Sequence, residues 1–334
     1  MSAKELNTYV YESLTSDPYN NIAVERYLTS NVKDNEIILY LWQNADTVVI
    51  GKNQNIYKEV DTELMKKNGV HICRRFSGGG AVYHDMGNLN FSFIATVPVY
   101  SVKRQTDVVV SALRKLGIDA VAGGRNDIYQ NGQKLSGNAY YTVCGASCHH
   151  GTLMLDVDLK KLSVYLAKSP KFASRAVESV VSPVANISDL CGTVISADRM
   201  KTLLSEAFSS EYGKARKYSV PREANVEINA LADYIASESW IYSRRIRFSC
   251  VSERKFSYGN VEFCINVSGN VVTGARVYTD SLCTDDYIWV ESALLGRKFT
   301  EEELEKAIRS SVKDAGKADD LVAMAHDDFF SRQT

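Results

Sequence analysis

RRFSGGGAVYHDMGNLNFSF, Arg74 to Phe93, decides how the rest of the chain is read. Two arginines, Phe76 and Ser77 lead into Gly78, Gly79 and Gly80, and His84, Asp85 and Asn88 come just before a strand-like apolar run. Glycine has no Cβ, so a ligand can press against the main chain there and accept hydrogen bonds from successive N–H groups. That suits phosphate or carboxylate. A glycine triplet alone is also the mark of a tight hairpin that needs positive φ, because glycine turns are common. The neighbours add weight to the ligand reading. Arg74 and Arg75 alternate on a strand, so only one can face the glycine loop, where its fork can grip an oxyanion bidentately. Asn88, just past the second turn, can offer its amide to a phosphate or a hydrated Mg²⁺. No GK[ST] follows the glycines, so this is not a Walker A loop, and no G-x-G-x-x-G opens a helix as a dinucleotide fingerprint requires.

Composition narrows the classes. The 334 residues are 45% hydrophobic and 24% charged, typical of folded globular protein. Lys+Arg 39 against Asp+Glu 40 leaves no net field for nucleic acid or an anionic membrane, so neither is expected as a partner. Any bound anion must be held by local groups. Seven cysteines, an odd number with no framework spacing, point to a reducing compartment. The stretch MSAKELNTYVYESLTSDPYN carries acids early and resembles neither a signal peptide nor an Arg-rich presequence, and no run approaches a membrane span. The expectation is a cytoplasmic protein, or an organellar one after processing, and a monomer.

Helical and strand periods alternate without internal repeats. Asp17-Pro18 predicts a helix start, with Val24, Tyr27 and Leu28 on one face. IILYLWQ and TVVIG predict two strands, KEVDTELMKKNG a helix closed by Gly69, and His71 to Ala95 a strand, a glycine turn and a strand. Gly117 should stop a helix carrying Val109, Leu113 and Leu116, and Asn131-Gly132 should turn a hairpin. Further helices are expected near 198–213 and 227–240. The pattern changes around Ser243-Arg244-Arg245, where a compact strand-then-helix unit begins.

RRFSGGGAVYHDMGNLNFSF resembles the signature of the lipoate-protein ligase family, and DPYNNIAVERYL, WQNADTVVIGKNQNIYKEVD, GRNDI, KLSGNAYY, CHHGTLML and ARVYTDSL resemble the family's other segments in the same order. The resemblance covers nearly the whole chain. It implies an α/β (α+β) architecture: a mixed β-sheet catalytic domain of the biotin/lipoate ligase fold over residues 1–243 and a smaller α+β C-terminal domain over residues 248–334. It also implies two-step acyl activation. Lipoate and Mg-ATP give lipoyl-AMP and pyrophosphate; a lysine of an apo-lipoyl domain of a 2-oxoacid dehydrogenase, or of a glycine-cleavage H-protein, then attacks the mixed anhydride.

On that resemblance Lys134 is the catalytic cation between the acyl carboxylate and the α-phosphate, a role that suits a compact point charge. Arg75 lies near carboxylate or phosphate, while Arg74 is a surface or structural residue. Ser77, Gly78, Gly79, Gly80, Val82, Tyr83, Ser136, Gly137, His150 and Gly151 belong to the substrate and nucleotide surface, and Asn88 with Asp127 to the Mg²⁺ or phosphate side. Trp42, Val49, Tyr83 and the strand Gly151 to Leu155 are candidates for an apolar acyl pocket. His84 and His150 are given no proton-transfer role, since a hydrogen-bonded structural histidine is the commoner outcome. Asn138 stands where the family commonly has a small residue.

Two other chemistries are weighed against this one. CGASCHHG gathers Cys144, Cys148, His149 and His150, a full set of zinc-type ligands, but adjacent histidines on a strand point to opposite faces. Related ATP-independent acyltransferases use a nucleophilic cysteine before the Lys-Gly motif; here Asp127 occupies that region, and Cys144 and Cys148 lie after Lys134. A non-catalytic acyl-adenylate or acceptor-binding protein is the third reading, and the presence of Arg75, Asn88, Asp127 and Lys134 together argues against it.

Overall fold

The computed structural model describes residues 6–97, 99–123, 127–166, 183–242, 248–282 and 285–331. They form two compact units: one of 6–49, 57–76 and 81–241, the other of 50–56, 77–80 and 242–331. Residues 124–126, with most of GRNDI, lie outside the described residues.

The strands of the first unit are β1 (Asn7–Glu12), β2 (Glu36–Trp42), β3 (Thr47–Ile50), β4 (His71–Arg74), β5 (Val82–His84), β6 (Asn88–Thr96), β7 (Val121–Gly123), β8 (Asp127–Gln130), β9 (Gln133–Val143), β10 (Ala146–Met154) and β11 (Arg216–Lys217). Eight of them make one mixed sheet in the order β11-β1-β2-β6-β10-β9-β8-β7, parallel where β1 meets β11 and β2 and antiparallel beyond. Three make a small sheet in the order β4-β3-β5. The strand, glycine turn and strand expected over His71 to Ala95 are present as β4, the glycine segment and β5 followed by β6. β4 and β5, the strands flanking the glycines, are not neighbours but lie on either side of β3.

The large sheet is covered on both faces, which its sequence shows as near-continuous apolar runs. In β2, Ile37, Leu39 and Leu41 enter a core shared with the helices Val102–Arg114 and Ala197–Tyr212. Ile38, Tyr40 and Trp42 enter a second core, with the helices Pro18–Asn31 and Ala224–Ala236. The period of two thus divides one strand between two cores.

Helix Pro18–Asn31 begins where the sequence predicts. Asp17 is its N-cap, accepting from the Tyr19 and Asn20 N–H groups at 2.8 and 3.1 Å, with Pro18 in the first turn. Gly69 and Gly117 close their helices at φ 67 and 78, and Asn131 and Gly132 turn the β8–β9 hairpin at φ 50 and 77.

The second unit pairs β12 (Cys250–Phe256), β13 (Gly259–Ser268) and β14 (Val271–Thr279) as an antiparallel meander. Its core joins Val261, Phe263, Ile265 and Val277 to Leu304, Ile308 and Leu321 of the helices Glu301–Ser311 and Ala315–Ala325.

One close approach in the large sheet requires glycine. A Cβ on Gly151 would lie 2.3 Å from Asn138 Oδ1 and 2.4 Å from Phe91 Cζ, and both neighbours are held by their own packing. Gly151→Ala should therefore lower stability by about 1–3 kcal/mol through overpacking. A urea titration reads this directly, and an unshifted midpoint would show that the strands can separate there.

Candidate active site

The sheet face that carries the second core also carries most of the polar residues singled out in the sequence. On β6, Asn88, Asn90 and Ser92 alternate with Leu89, Phe91 and Phe93, which go to the opposite core. β10 sets Thr152 opposite Asn90 and His150 opposite Ser92. Thr152 Oγ1 accepts from the Gly137 N–H at 3.2 Å, which carries the polar row onto β9.

There the ladder changes register. Asp127 pairs with Gly137 and Ile128 with Ser136, but Tyr129 pairs with Lys134. Leu135 and Ser136 together oppose Ile128, and all three are buried. Strict alternation would put Lys134 on the face of Ser136; the bulge turns it to the face of Asp127. Lys134 Nζ then lies 2.9 Å from Asp127 Oδ1, with the side chains 30% and 22% exposed. Asp127 Oδ2 accepts from the Tyr129 hydroxyl at 2.8 Å. Gly137 leaves room for the lysine, since a Cβ there would come 3.0 Å from Lys134 Cε and 3.1 Å from Nζ.

Further along the face, Glu25 of helix Pro18–Asn31 is 1% exposed. His150 Nδ1 meets its Oε1 and Oε2 at 3.0 and 2.9 Å, and Ser92 Oγ donates to Oε2 at 2.6 Å while accepting from Trp42 Nε1 at 3.0 Å. Burial alone would push the Glu25 carboxyl up; the charge of His150, with hydrogen bonds from His150, Ser92 and Tyr141, outweighs it and holds the group below its ordinary value.

Arg75 is buried and donates from Nη1 to the Val49 carbonyl at 3.2 Å. Burial lowers it to about 10, opposed by the nearby Glu25 charge. Arg74 is structural, as one of its two expectations had it, and it is buried rather than on the surface. Its Nε and Nη2 donate to the carbonyls of Trp240 and Ile241, and Trp240 Nε1 donates back to the Arg74 carbonyl at 2.9 Å. His84 takes a hydrogen bond from Asn44 on Nδ1, and burial, then the charges of Arg75 and His150, lower it to about 3. His84 Nε2 and Asn90 Nδ2 are buried with no acceptor among the described residues, the pattern of a surface that binds an acceptor-bearing ligand. Val82 is half-buried on β5, and Tyr83 is buried with its hydroxyl on Asp46 at 3.1 Å. Of the acyl-pocket candidates, Trp42 and Val49 belong to the second core.

His149 points the other way, into the first core, between Gln105 and Asn138 at 3.0 Å each. Burial lowers it to about 3, so the ring is neutral and has one donor and one acceptor. Nδ1 faces Gln105 Oε1 and Nε2 faces Asn138 Oδ1, so one ring nitrogen donates and the other meets an oxygen unless the Gln105 amide, whose Nε2 has no partner among the described residues, is turned about. Asn138 in turn donates to Ser136 Oγ at 3.3 Å, so its amide is spent on a polar chain on the first-core face of β9.

The glycine loop, Ser77 to Gly80, groups with the second unit. Of its three glycines only Gly79 has positive φ, at 89°. Its N–H donates to the Ser281 carbonyl at 3.3 Å, and the Ser77 carbonyl accepts from Lys52 at 2.8 Å. A Cβ on Gly51 would sit 2.2 Å from the Gly79 carbonyl oxygen, so the Ile50–Ile56 segment packs directly on the loop backbone.

The zinc quartet of CGASCHHG does not assemble. Cys144 is exposed, in a turn at φ 51, and His149 and His150 face opposite cores. Glu25, Cys148 and His150 do bring one ligand atom each within 4.8 Å of one another, but both Glu25 oxygens are already engaged by His150 and Ser92. Burial pushes the Cys148 thiol well up, which makes it a poor nucleophile. Glu25 and Tyr129 were not singled out in the sequence, and Thr152 entered only within the apolar stretch Gly151 to Leu155. For Glu25 there is a signal: Asn21, Glu25 and Thr29, at i, i+4 and i+8, form a polar stripe that is wholly buried.

Comparison with known proteins gives the family. Residues 17–209 match the family model of the lipoyl protein ligase A/B catalytic domain, and residues 245–320 match that of the bacterial lipoate protein ligase C-terminus. The chain belongs to the lipoyl protein ligase A/B family. It is similar to LipL1 of P. falciparum in complex with lipoate, at 25% identity and TM-score 0.85 over 95% of this chain and 98% of that one. It is also similar to a lipoate-protein ligase A bound with ATP, at 28% identity and TM-score 0.62 over 71% and 98%. A bi-partite lipoate protein ligase from Thermoplasma acidophilum, described with its E2 lipoyl domain, matches at 28% identity and TM-score 0.63 over 72% and 99%. Among the described residues no helix is long and apolar enough to cross a membrane.

The histidines set a pH dependence. His84 and His149 fall from an ordinary value of 6.5 to about 3 in the fold, so below 6.5 the unfolded chain binds protons that the folded one refuses. Their contribution is complete above 6.5 and is lost as pH falls toward 3. The urea midpoint should drop across that window, and His149→Gln should remove part of the slope. A slope untouched by the substitution would mean that the buried ring titrates normally.

Proposed function

We propose that the chain is an ATP-dependent lipoate-protein ligase that forms lipoyl-AMP and passes the lipoyl group to an acceptor lysine. The carrying observation is the bulged β9, which sets Lys134 beside Asp127 on the polar face of the sheet. The relatives solved with lipoate, with ATP and with an E2 lipoyl domain support the choice of substrates and acceptor class.

In the first step a lipoate carboxylate oxygen bonds to the α-phosphorus of ATP, the bond to the bridging oxygen breaks, and pyrophosphate leaves with the electron pair. Two anions must approach. The Lys134 ammonium offsets their repulsion by contacting the acyl oxygen and the α-phosphate together, a stabilisation that grows as charge concentrates between them. Arg75 would hold the adenylate and acyl group, with Val82, Tyr83, Gly137 and His150 lining the surface, while Ser136 and Gly151, turned to the opposite face of the sheet, back that surface rather than line it. The orphan donors on His84 and Asn90 suit a ligand that brings acceptors. In the second step the neutral ε-amine of the acceptor lysine attacks the acyl carbon, AMP departs, and the amine proton is lost to solvent. The acceptor class is a lipoyl domain or an H-protein.

Magnesium would be held by Asp127 and Asn88. Asn88 turns its Nδ2 to Asn90 Oδ1, leaving Oδ1 as the atom a hard cation would take; both Asp127 oxygens rest on Lys134 and Tyr129, but unlike the enclosed Glu25 this carboxylate is partly exposed and can share an oxygen with a cation, and a single carboxylate with substrate phosphates is a common magnesium environment. The ion would supply positive charge to the phosphates. The chain's own part there is to orient those two oxygens.

The deciding measurement is the intact mass of an apo-lipoyl acceptor incubated with the protein, free lipoate and Mg²⁺, with and without ATP. A lipoyl-sized gain that needs ATP is expected; a gain from an acylated donor protein without ATP would establish a transferase instead. Lys134→Ala should reduce acyl-AMP formation on the order of 10²-fold or more, at an unaltered urea midpoint. Asp127→Asn should weaken the response to Mg²⁺, and an unchanged magnesium titration would remove Asp127 from that role.

A further inference from the structure

The geometry points to Tyr129 as a positioning residue for Lys134, acting through Asp127; this rests on the adenylation role given above to Lys134. A carboxylate at the first residue of a short strand turns readily about χ1 and χ2, and a lysine on its four-carbon stem is more mobile still. The β8–β9 hairpin removes that freedom in three ways.

The bulge at Leu135 and Ser136 puts Tyr129 directly opposite Lys134, where the unbulged ladder would have put Leu135. Asp127 and Tyr129, two apart on β8, share a face, and the phenol donates to Oδ2 at 2.8 Å while Oδ1 takes the ammonium at 2.9 Å. The two oxygens of one carboxylate therefore have different partners, and fixing the first aims the second. The Tyr129 ring is itself braced, because Gly123 on β7 faces it so closely that a Cβ there would lie 3.3 Å from Cδ2. Gly137 leaves the ammonium one side on which to rest.

The assembly is only part-buried, so Coulomb attraction between Lys134 and Asp127 is screened and gives little direction of its own. Direction comes from the hydrogen bond of the phenol, which is strengthened by the charge it meets. Losing it leaves charge and pairing intact and broadens the positions that Nζ visits. The effect therefore belongs in the chemical step rather than in substrate affinity.

The test is Tyr129→Phe, alone and combined with Asp127→Asn, in the full-length protein. Single-turnover acyl-AMP formation is followed with lipoate and Mg-ATP, and unfolding is followed in urea. Phenylalanine keeps the ring against Gly123, so the urea midpoint should hold. The expected result is a fall in the rate of acyl-AMP formation of about fivefold to tenfold at unchanged KM for lipoate and ATP, and no further fall when Tyr129→Phe is added to Asp127→Asn. A full rate in Tyr129→Phe overturns the proposal. So does a loss that multiplies with that of Asp127→Asn, because a hydroxyl acting through the carboxylate has nothing to act on once that carboxylate is gone. Lys134→Ala, run in parallel, separates the two levels: normal acyl-AMP formation there overturns the adenylation role itself, whereas loss there beside an unaffected Tyr129→Phe overturns only the role of Tyr129.

Discussion

A carboxylate at 1% exposure in the middle of a helix must be neutral or paired, and Glu25 is paired. Its bond to His150 ties helix Pro18–Asn31 to β10, and Ser92 with Trp42 extends the tie across β6 to β2. Removing one partner of such a pair leaves a buried charge and costs about 3–5 kcal/mol, far more than the net worth of the intact pair. The surroundings follow from this charge. Burial lowers Arg75 and the Glu25 charge opposes that, while burial, helped by the charges of Arg75 and His150, keeps His84 neutral. The apolar cover on this face is thus interrupted by a network whose members each need the others.

Much of this was legible in the sequence because it depends on local rules. Asp17-Pro18, Gly69, Gly117 and Asn131-Gly132 each end or turn an element through their own backbone preferences, and each does so in the structure. The order of family segments gave the fold. Less legible were arrangements set by distant partners. Nothing between Arg74 and Val82 says that the two strands flanking the glycines are separated by β3, since strand order is decided by which edges remain to be paired. Glu25 reads as the solvated face of an amphipathic helix until the second core, packed above and below it, shows otherwise. The Leu135 bulge is invisible to periodicity because it is a break in periodicity, and KLSGNA read by alternation would send Lys134 to the wrong face.

The same limit applied to CHHG. Alternation rightly separated His149 from His150, but it could not say that each would find a polar partner from a different helix, Gln105 for one and Glu25 for the other. Those partners come from helices that lie far away in the chain and on opposite faces of the sheet. A histidine pair that looks like a metal motif is, in the fold, two independent solutions to burying a polar ring. Asn138 belongs to the first of them, which is why it stands where a smaller side chain would leave His149 Nε2 without an acceptor.

Two ion pairs on one sheet face therefore do opposite work. Glu25–His150 is enclosed, and exchanging either partner would strand a charge where water cannot reach it. Lys134–Asp127 is about a quarter to a third exposed, and a pair so screened is worth only about 0–1 kcal/mol. Its direction therefore comes from the bulge and from the Tyr129 hydrogen bond rather than from the charge pair. The bulge that turns Lys134 to the partly exposed side is what gives it a screened partner in place of a buried one.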